Sequence, residues 1–113
     1  MALKRILFIG TVLAHLAAIP ATAREIVINA VGDIMLAGSA TPTFALLGYD
    51  YPFAATAAEL RRGDIAVGNL EAPIAAGGDE FTGKRFRFKA APPSAAALKR
   101  AGFSVVTLAN NHI

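Results

Sequence analysis

Three short apolar runs, each rich in β-branched residues, are followed in this chain by small or polar residues that favour turns. Runs of this length and composition, bounded by turn residues, predict β-strands. The three predicted strands are residues 24–31 (REIVINAV), 64–70 (DIAVGNL) and 103–108 (FSVVTL).

Two alanine-rich segments between these runs carry the start and stop signals of helices. Residues 53–62 (FAATAAELRR) follow Pro52, end in two arginines and precede Gly63. Residues 95–101 follow a Pro-Pro-Ser sequence and precede Gly102. Proline before the first turn and glycine after the last are typical of helix ends, so both segments are predicted to be helical.

The remaining segments are irregular apart from one alternating stretch. Residues 34–51 are interrupted by glycine and proline, which predicts a loop with room for one short helix. Residues 73–83 predict a second loop. Residues 84–89 (KRFRFK) alternate basic and aromatic side chains with a period of two, which predicts a half-exposed strand in a hairpin-like insertion.

The order of these elements predicts the α/β class with mostly parallel strands, because strands alternate with helices. The carboxyl ends of parallel strands meet at one edge of the sheet, and ligands bind there. The polar residues that follow the three strands are therefore expected to be neighbours. They are Asp33, Asn69, Glu71, Asn110, Asn111 and His112.

The first 23 residues form a separate unit with the pattern of a secretory signal peptide. Two basic residues precede an apolar stretch from Ile6 to Ile19, and small residues at 21–23 form a cleavage site. This predicts export to the periplasm or the cell exterior, where the protein could also associate with the membrane. The alternative is an uncleaved anchor, but the stretch is shorter than the ~20 residues that span a bilayer. Residues 24–113 are enough for one domain at most.

The charge balance and the absence of cysteine exclude two classes of site. The chain has eleven Lys and Arg against eight Asp and Glu, and two of the basic residues lie in the predicted signal peptide. The predicted mature chain is thus nearly neutral and has no long basic run, so nucleic acid is not an expected partner. Without cysteine, no metal ligand in this chain can be a thiolate.

The candidate carboxylates each allow a ligand role and a structural role. Asp33 follows a flexible glycine and is well placed to reach a cation, although Asp at this point is also a common turn or N-cap residue. Asn69 and Glu71 are two residues apart and share one face if the strand continues through them. Polar groups that end a buried run need partners, which could be a metal ion or the backbone of nearby loops.

Asn110, Asn111 and His112 form the most unusual of the polar clusters, since two amides and an imidazole follow a hydrophobic strand directly. Amide oxygens and imidazole nitrogens are both metal ligands, and histidine is the usual acid or base near neutral pH. A single histidine is more often structural, but this context favours a functional role.

The basic side chains of the predicted strand at 84–89 have two readings. Arg85, Arg87 and Lys89 would lie on one face of such a strand, with the two phenylalanines on the other. One interpretation is an amphipathic edge strand whose charges discourage aggregation. The other is a substrate-binding surface for a polyanion.

Several motifs, in the same order along the chain, resemble those of the CapA family of poly-γ-glutamate capsule biosynthesis proteins, which belongs to the calcineurin-like metallophosphatase superfamily. The match covers nearly all of the chain after the predicted signal peptide. The motifs are GDIMLAG at 32–38, GNLEAPI at 68–74, FRFKAAPP at 86–93 and LKRAGFSVVTLANNHI at 98–113.

The resemblance implies a four-layer α/β sandwich with a two-metal site, of which this chain would be the N-terminal part. Asp33 resembles the metal ligand of the first block, and Glu71 stands where an acidic second-block residue is expected. Asn111 resembles the amide ligand of the Asn-His block, with His112 as the histidine that contacts the scissile phosphate. The superfamily often has a histidine two residues after the first aspartate, where this chain has Met35.

The resemblance also implies cofactors and partners. Two divalent ions, Mn, Fe or Zn, would serve metal-dependent hydrolysis of a phosphoester or related bond in the complete domain. The partners would be an anionic polymer or a phosphorylated substrate, and the capsule synthesis machinery at the membrane. The alternatives are a polyanion-binding factor without turnover and a non-functional fragment.

Overall fold

A computed structural model describes residues 23–113, and three parallel strands form its sheet. The strands are β1 (Ile28–Ile34), β2 (Ile65–Leu70) and β3 (Val105–Thr107), in the order β1-β2-β3. The predicted α/β class with parallel strands is confirmed. The predicted signal peptide lies outside the described residues apart from Ala23.

Three helices connect the strands. They are α1 (Thr41–Leu47), α2 (Ala57–Leu60) and α3 (Pro93–Ala101), with 3-10 turns at Gly38–Ala40 and Tyr51–Phe53. The short helix α1 occupies the predicted loop at 34–51, and α3 starts two residues before the predicted start. No helix within residues 23–113 combines the length and the apolar character needed to cross a bilayer.

The helix predicted at 53–62 is reduced to the single turn α2. Its first residue, Phe53, instead ends the 3-10 turn, is buried, and has its ring 5.9 Å from the ring of Phe103, while residues 54–56 form a turn. Burial of this aromatic side chain against the core outweighs the helix propensity of the alanines that follow it.

The first strand continues further than its apolar run, so the predicted end at residue 31 is wrong. The register between β1 and β2 shifts between Ala30 and Asp33, which is the mark of a β-bulge. The bulge keeps the chain in the sheet through Gly32 and pairs Asp33 with Asn69. Asp33 therefore lies within β1, beside the end of β2.

The core lies on one face of the sheet. Alternate residues of β2 are buried, and Leu70 belongs to one cluster with side chains from the helices, including Phe44, Leu60 and Leu98. The opposite face is more open to solvent, since Ile28 of β1 and Val105 of β3, which both lie on that face, remain largely exposed.

The strand predicted at 84–89 is absent, and the segment is an irregular loop. A single parallel bridge between Ile74 and Ala90 is the nearest β pairing in this part of the described chain. Alternation of side chains is not sufficient for a strand, because a strand also needs a neighbour for its backbone hydrogen bonds. Instead, the guanidinium of Arg85 lies over the Phe86 ring at 5.2 Å, and Arg87 pairs with Glu80 at 3.1 Å.

We expect the substitution Gly102→Ala to destabilise the protein by about 1–3 kcal/mol. Gly102 ends α3 with a φ of 114°, and a Cβ atom there would lie 2.6 Å from Cγ of Arg61. Arg61 is held in place by a 2.7 Å hydrogen bond to the carbonyl of Arg100. Urea denaturation measures the loss. Gly32→Ala is the control: its Cβ would meet nothing within 4 Å, and we expect a change within about 0.5 kcal/mol.

Candidate functional site

The polar residues at the carboxyl ends of the three strands lie together at one edge of the sheet. Asp33 comes from β1, Glu71 directly follows β2, and His112 lies five residues beyond the end of β3. Parallel pairing aligns these strand ends, so residues distant in sequence meet in space. The residues between Asp33 and His112 along the chain build the helices that hold this alignment.

Asn69 is the centre of the site. Its Nδ2 donates to Oδ1 of Asp33 at 2.9 Å and to Oε2 of Glu71 at 2.8 Å. Its Oδ1 accepts from the hydroxyl of Thr107 and from Nδ2 of Asn110, both at 3.2 Å. Two acceptors on the nitrogen and two donors on the oxygen fix the orientation of this amide. One side chain therefore links all three strand ends.

Asn110 fixes the path of the chain after β3. Its Nδ2 also donates to the backbone carbonyl of Leu70 at 2.8 Å, and its Oδ1 accepts from the backbone N–H of His112 at 2.8 Å. The second bond joins a side chain to the backbone two residues on, which is the usual way for asparagine to stabilise a turn. This turn carries His112 back towards the sheet.

His112 is held between a carboxylate and an aromatic ring. Its Nε2 is 3.3 Å from Oε1 of Glu71, and both side chains are about 15% exposed or less. The ring of Phe88 lies 4.9 Å from the imidazole. The other ring nitrogen, Nδ1, is buried and makes no hydrogen bond within residues 23–113. An unpaired buried nitrogen is costly, so this atom is a candidate for contact with a ligand.

Asn111 is less central than its neighbour. It is exposed, and its Nδ2 lies 3.3 Å from Nε2 of His112. Its backbone carbonyl accepts a hydrogen bond from Nζ of Lys84. The hydrogen bonds to Asn69 and to the backbone of β2 come from Asn110 instead. Asn111 therefore lies at the rim of the cluster.

The predicted substrate-binding cations divide into two groups. Arg87 and Lys89 line a cavity of about 410 Å³ together with His112 and Phe88. Arg85 is outside this lining and stacks on Phe86. Lys84, Asp79 and Glu80 also line the cavity, so its lining carries three positive and two negative side chains beside the imidazole.

Two residues of this arrangement were not among those predicted. Thr107 binds the central amide, and its place in register with Asn69 could have indicated it, since β3 pairs with β2. Lys84 belongs to the predicted basic stretch, but the period-two pattern placed it apart from the other cations. Its contact with Asn111 depends on the fold of the loop.

The donor set agrees in type with the metal ions that the family resemblance implies. Asp33 and Glu71 are hydrogen-bonded to the same amide nitrogen, and Asn111 adds an amide oxygen at the rim. Carboxylate and amide oxygens beside an imidazole suit Mn²⁺, Fe or Zn²⁺. Within residues 23–113, however, no three His, Asp or Glu side chains converge closely enough to hold one ion.

These features define a class of protein: α/β proteins that carry a cluster of acid, amide and imidazole groups at one edge of a parallel sheet. The family model described as "Bacterial capsule synthesis protein PGA_cap" matches residues 27–113. The chain belongs to this family. The matched residues include all of the polar cluster.

The chain is also similar to the capsule biosynthesis protein CapA of Bacillus anthracis. The two are 31% identical over 92 residues, which cover 79% of this chain and 22% of that protein. The resemblance to the CapA family is confirmed by both comparisons. The chain spans about a fifth of the length of this relative.

Proposed function

We propose that the strand-edge cluster is part of a metallophosphatase-like site, used for metal-dependent hydrolysis of a phosphoester or related bond in capsule biosynthesis. The observation that carries this proposal is the Asn69 amide, which binds both carboxylates while His112 lies 3.3 Å from one of them. Acidic groups and an imidazole gathered at one sheet edge are the components that such a hydrolase needs.

The roles of the side chains follow from their positions. Asp33 and Glu71 would hold a divalent ion, with Asn111 as a further oxygen donor at the rim. The bound ion would supply an activated water and neutralise charge on the substrate oxygen. His112 would hydrogen-bond the phosphoryl group, and its contact with Glu71 would hold the imidazole in orientation. Asn69 and Asn110 would position these groups.

The cavity beside His112 supports an anionic substrate. Arg87, Lys89 and Lys84 line it together with two acids, Asp79 and Glu80, and the one surplus positive charge would attract a phosphorylated compound or an anionic polymer such as poly-γ-glutamate. Export by the predicted signal peptide would bring the protein to the capsule synthesis machinery at the membrane. A polyanion-binding factor without turnover is the alternative function that uses the same cations.

Turnover of a generic phosphoester by the full-length protein tests the proposal. We expect hydrolysis of p-nitrophenyl phosphate with Mn²⁺, loss of activity with a chelator, and a fall in kcat of about 10²–10³-fold for His112→Ala, the range for loss of one hydrogen-bond donor to the charge that develops in the transition state. Lys99→Ala, on the exposed face of α3, should leave kcat unchanged.

Two outcomes would contradict the hydrolase proposal. One is turnover that persists without metal or in His112→Ala. The other is metal-independent binding of poly-γ-glutamate by a protein that hydrolyses nothing, which would favour the polyanion-binding alternative.

A further inference from the structure

The irregular loop at residues 81–89, here called the aromatic–basic loop, exposes two large apolar rings. Phe81 is 71% exposed and Phe86 is 59% exposed. Neither belongs to the core cluster or packs against it, whereas Phe88 packs on the core and on His112. The fold and the proposed site therefore account for Phe88 and leave the other two rings without a role.

Cations surround these exposed rings. The loop contains Lys84, Arg85, Arg87 and Lys89, and the two acids that precede it are Asp79 and Glu80. Four positive charges against two negative ones leave a net charge of +2 over residues 79–89. Much of the remaining described chain is close to neutral, so the positive charge is concentrated beside the exposed rings.

The rings and the cations share one concave surface. Phe81 and Phe86 line the same cavity as His112, three of the four cations and the two acids, so the charges of this lining sum to +1. An occupant of this surface would meet apolar rings and positive charge together. Exposed aromatic side chains next to lysine and arginine are the combination that binds at the boundary between lipid headgroups and acyl chains.

We propose that the aromatic–basic loop docks on an anionic lipid bilayer, with Phe81 and Phe86 entering the interface and the cations contacting acidic headgroups. Charge complementarity selects an acidic surface, since each basic residue near such a surface adds to binding. A soluble polyanion would satisfy the cations but would leave both rings in water. The proposal needs neither a bound metal nor turnover, so it goes beyond the function proposed above.

Tryptophan fluorescence tests the docking directly, because the sequence of this chain contains no tryptophan. The variant Phe86→Trp places one fluorophore in the loop at an exposed position. With vesicles of phosphatidylglycerol and phosphatidylcholine, we expect a blue shift of its emission and quenching by brominated lipids. Leu46→Trp, at an 81% exposed position on α1, is the matched control and should show neither effect. Local insertion is thereby separated from any anchoring by the N-terminal segment.

A second test measures how binding depends on the charge of the lipid and on the charge of the loop. Pure phosphatidylcholine vesicles should give no shift, and neutralising Arg85 and Lys89 to glutamine should weaken binding about fivefold for each charge removed. Phe81→Trp repeats the measurement if Phe86→Trp fails to fold. The proposal is overturned by an equal shift with uncharged vesicles, by no shift with acidic ones, or by a shift that appears only with soluble polyglutamate.

Discussion

Replacing Asn69 with aspartate should destabilise the protein by about 2–4 kcal/mol in metal-free buffer, and added Mn²⁺ should recover much of this loss. The amide nitrogen of Asn69 donates to carboxylates of Asp33 and Glu71. An aspartate oxygen in its place could donate to neither and would bring a third negative charge against two others. Three converging carboxylates are also the ligand set that a hard divalent cation prefers.

The response to Mn²⁺ distinguishes charge repulsion among three carboxylates from a simple loss of hydrogen bonds. Urea denaturation in a chelator and in Mn²⁺ measures the stability of both variants and of the original protein. Asn69→Leu removes the same hydrogen bonds without adding charge, so it should be destabilised equally with and without Mn²⁺. If Asn69→Asp is stable without metal, or if both variants respond alike to Mn²⁺, the carboxylates at this edge do not form a cation site.

The meeting of the polar clusters at one sheet edge could be predicted from the sequence, because it depends only on element order. Strands that alternate with helices become parallel, and their carboxyl ends then coincide. The residues after each strand are therefore neighbours whatever the details of packing. Asp33, Glu71 and His112 lie at this edge for that reason.

The position of Asp33 within its strand could not be predicted in the same way. Gly32 and Asp33 have the character of a turn, and the bulge between Ala30 and Asp33 keeps them in the sheet. A bulge arises from the pairing of two strands, so the sequence of one strand does not contain it. The strand prediction for residues 84–89 is wrong for the same reason, because the segment has an alternating pattern but no neighbouring strand to pair with.

The sequence also could not predict which of two adjacent asparagine side chains makes the central hydrogen bonds. Asn110 and Asn111 have the same chemistry, and the family resemblance favours Asn111 as the ligand. In the structure it is Asn110 that makes the partly buried hydrogen bonds, because the turn after β3 directs its side chain back to Leu70 and Asn69. The direction of a side chain in a turn depends on backbone angles that are set by the surrounding fold.

The helix α3 determines where the third polar cluster lies, and we expect Leu98→Ala to destabilise the protein by about 2–5 kcal/mol. Four residues of α3 are buried, and Leu98 is the only large apolar side chain among them. Its removal would leave a cavity in the cluster that joins α3 to Leu70 of β2. A loss of this size is a large fraction of the total stability of a small domain.

The loss of packing at Leu98 would also affect the candidate site, because α3 leads directly into β3. Only the residues from Gly102 to Ser104 separate the helix from the strand that carries Thr107 and, beyond it, Asn110. Urea denaturation should show a lower midpoint for Leu98→Ala, while Leu46→Ala, at an 81% exposed position, should change stability by less than about 0.5 kcal/mol. Equal effects of the two substitutions would mean that α3 does not hold β3 against the sheet through Leu98. A large effect confined to Leu98 would mean that burial of this leucine holds α3, and with it the start of β3, against the sheet.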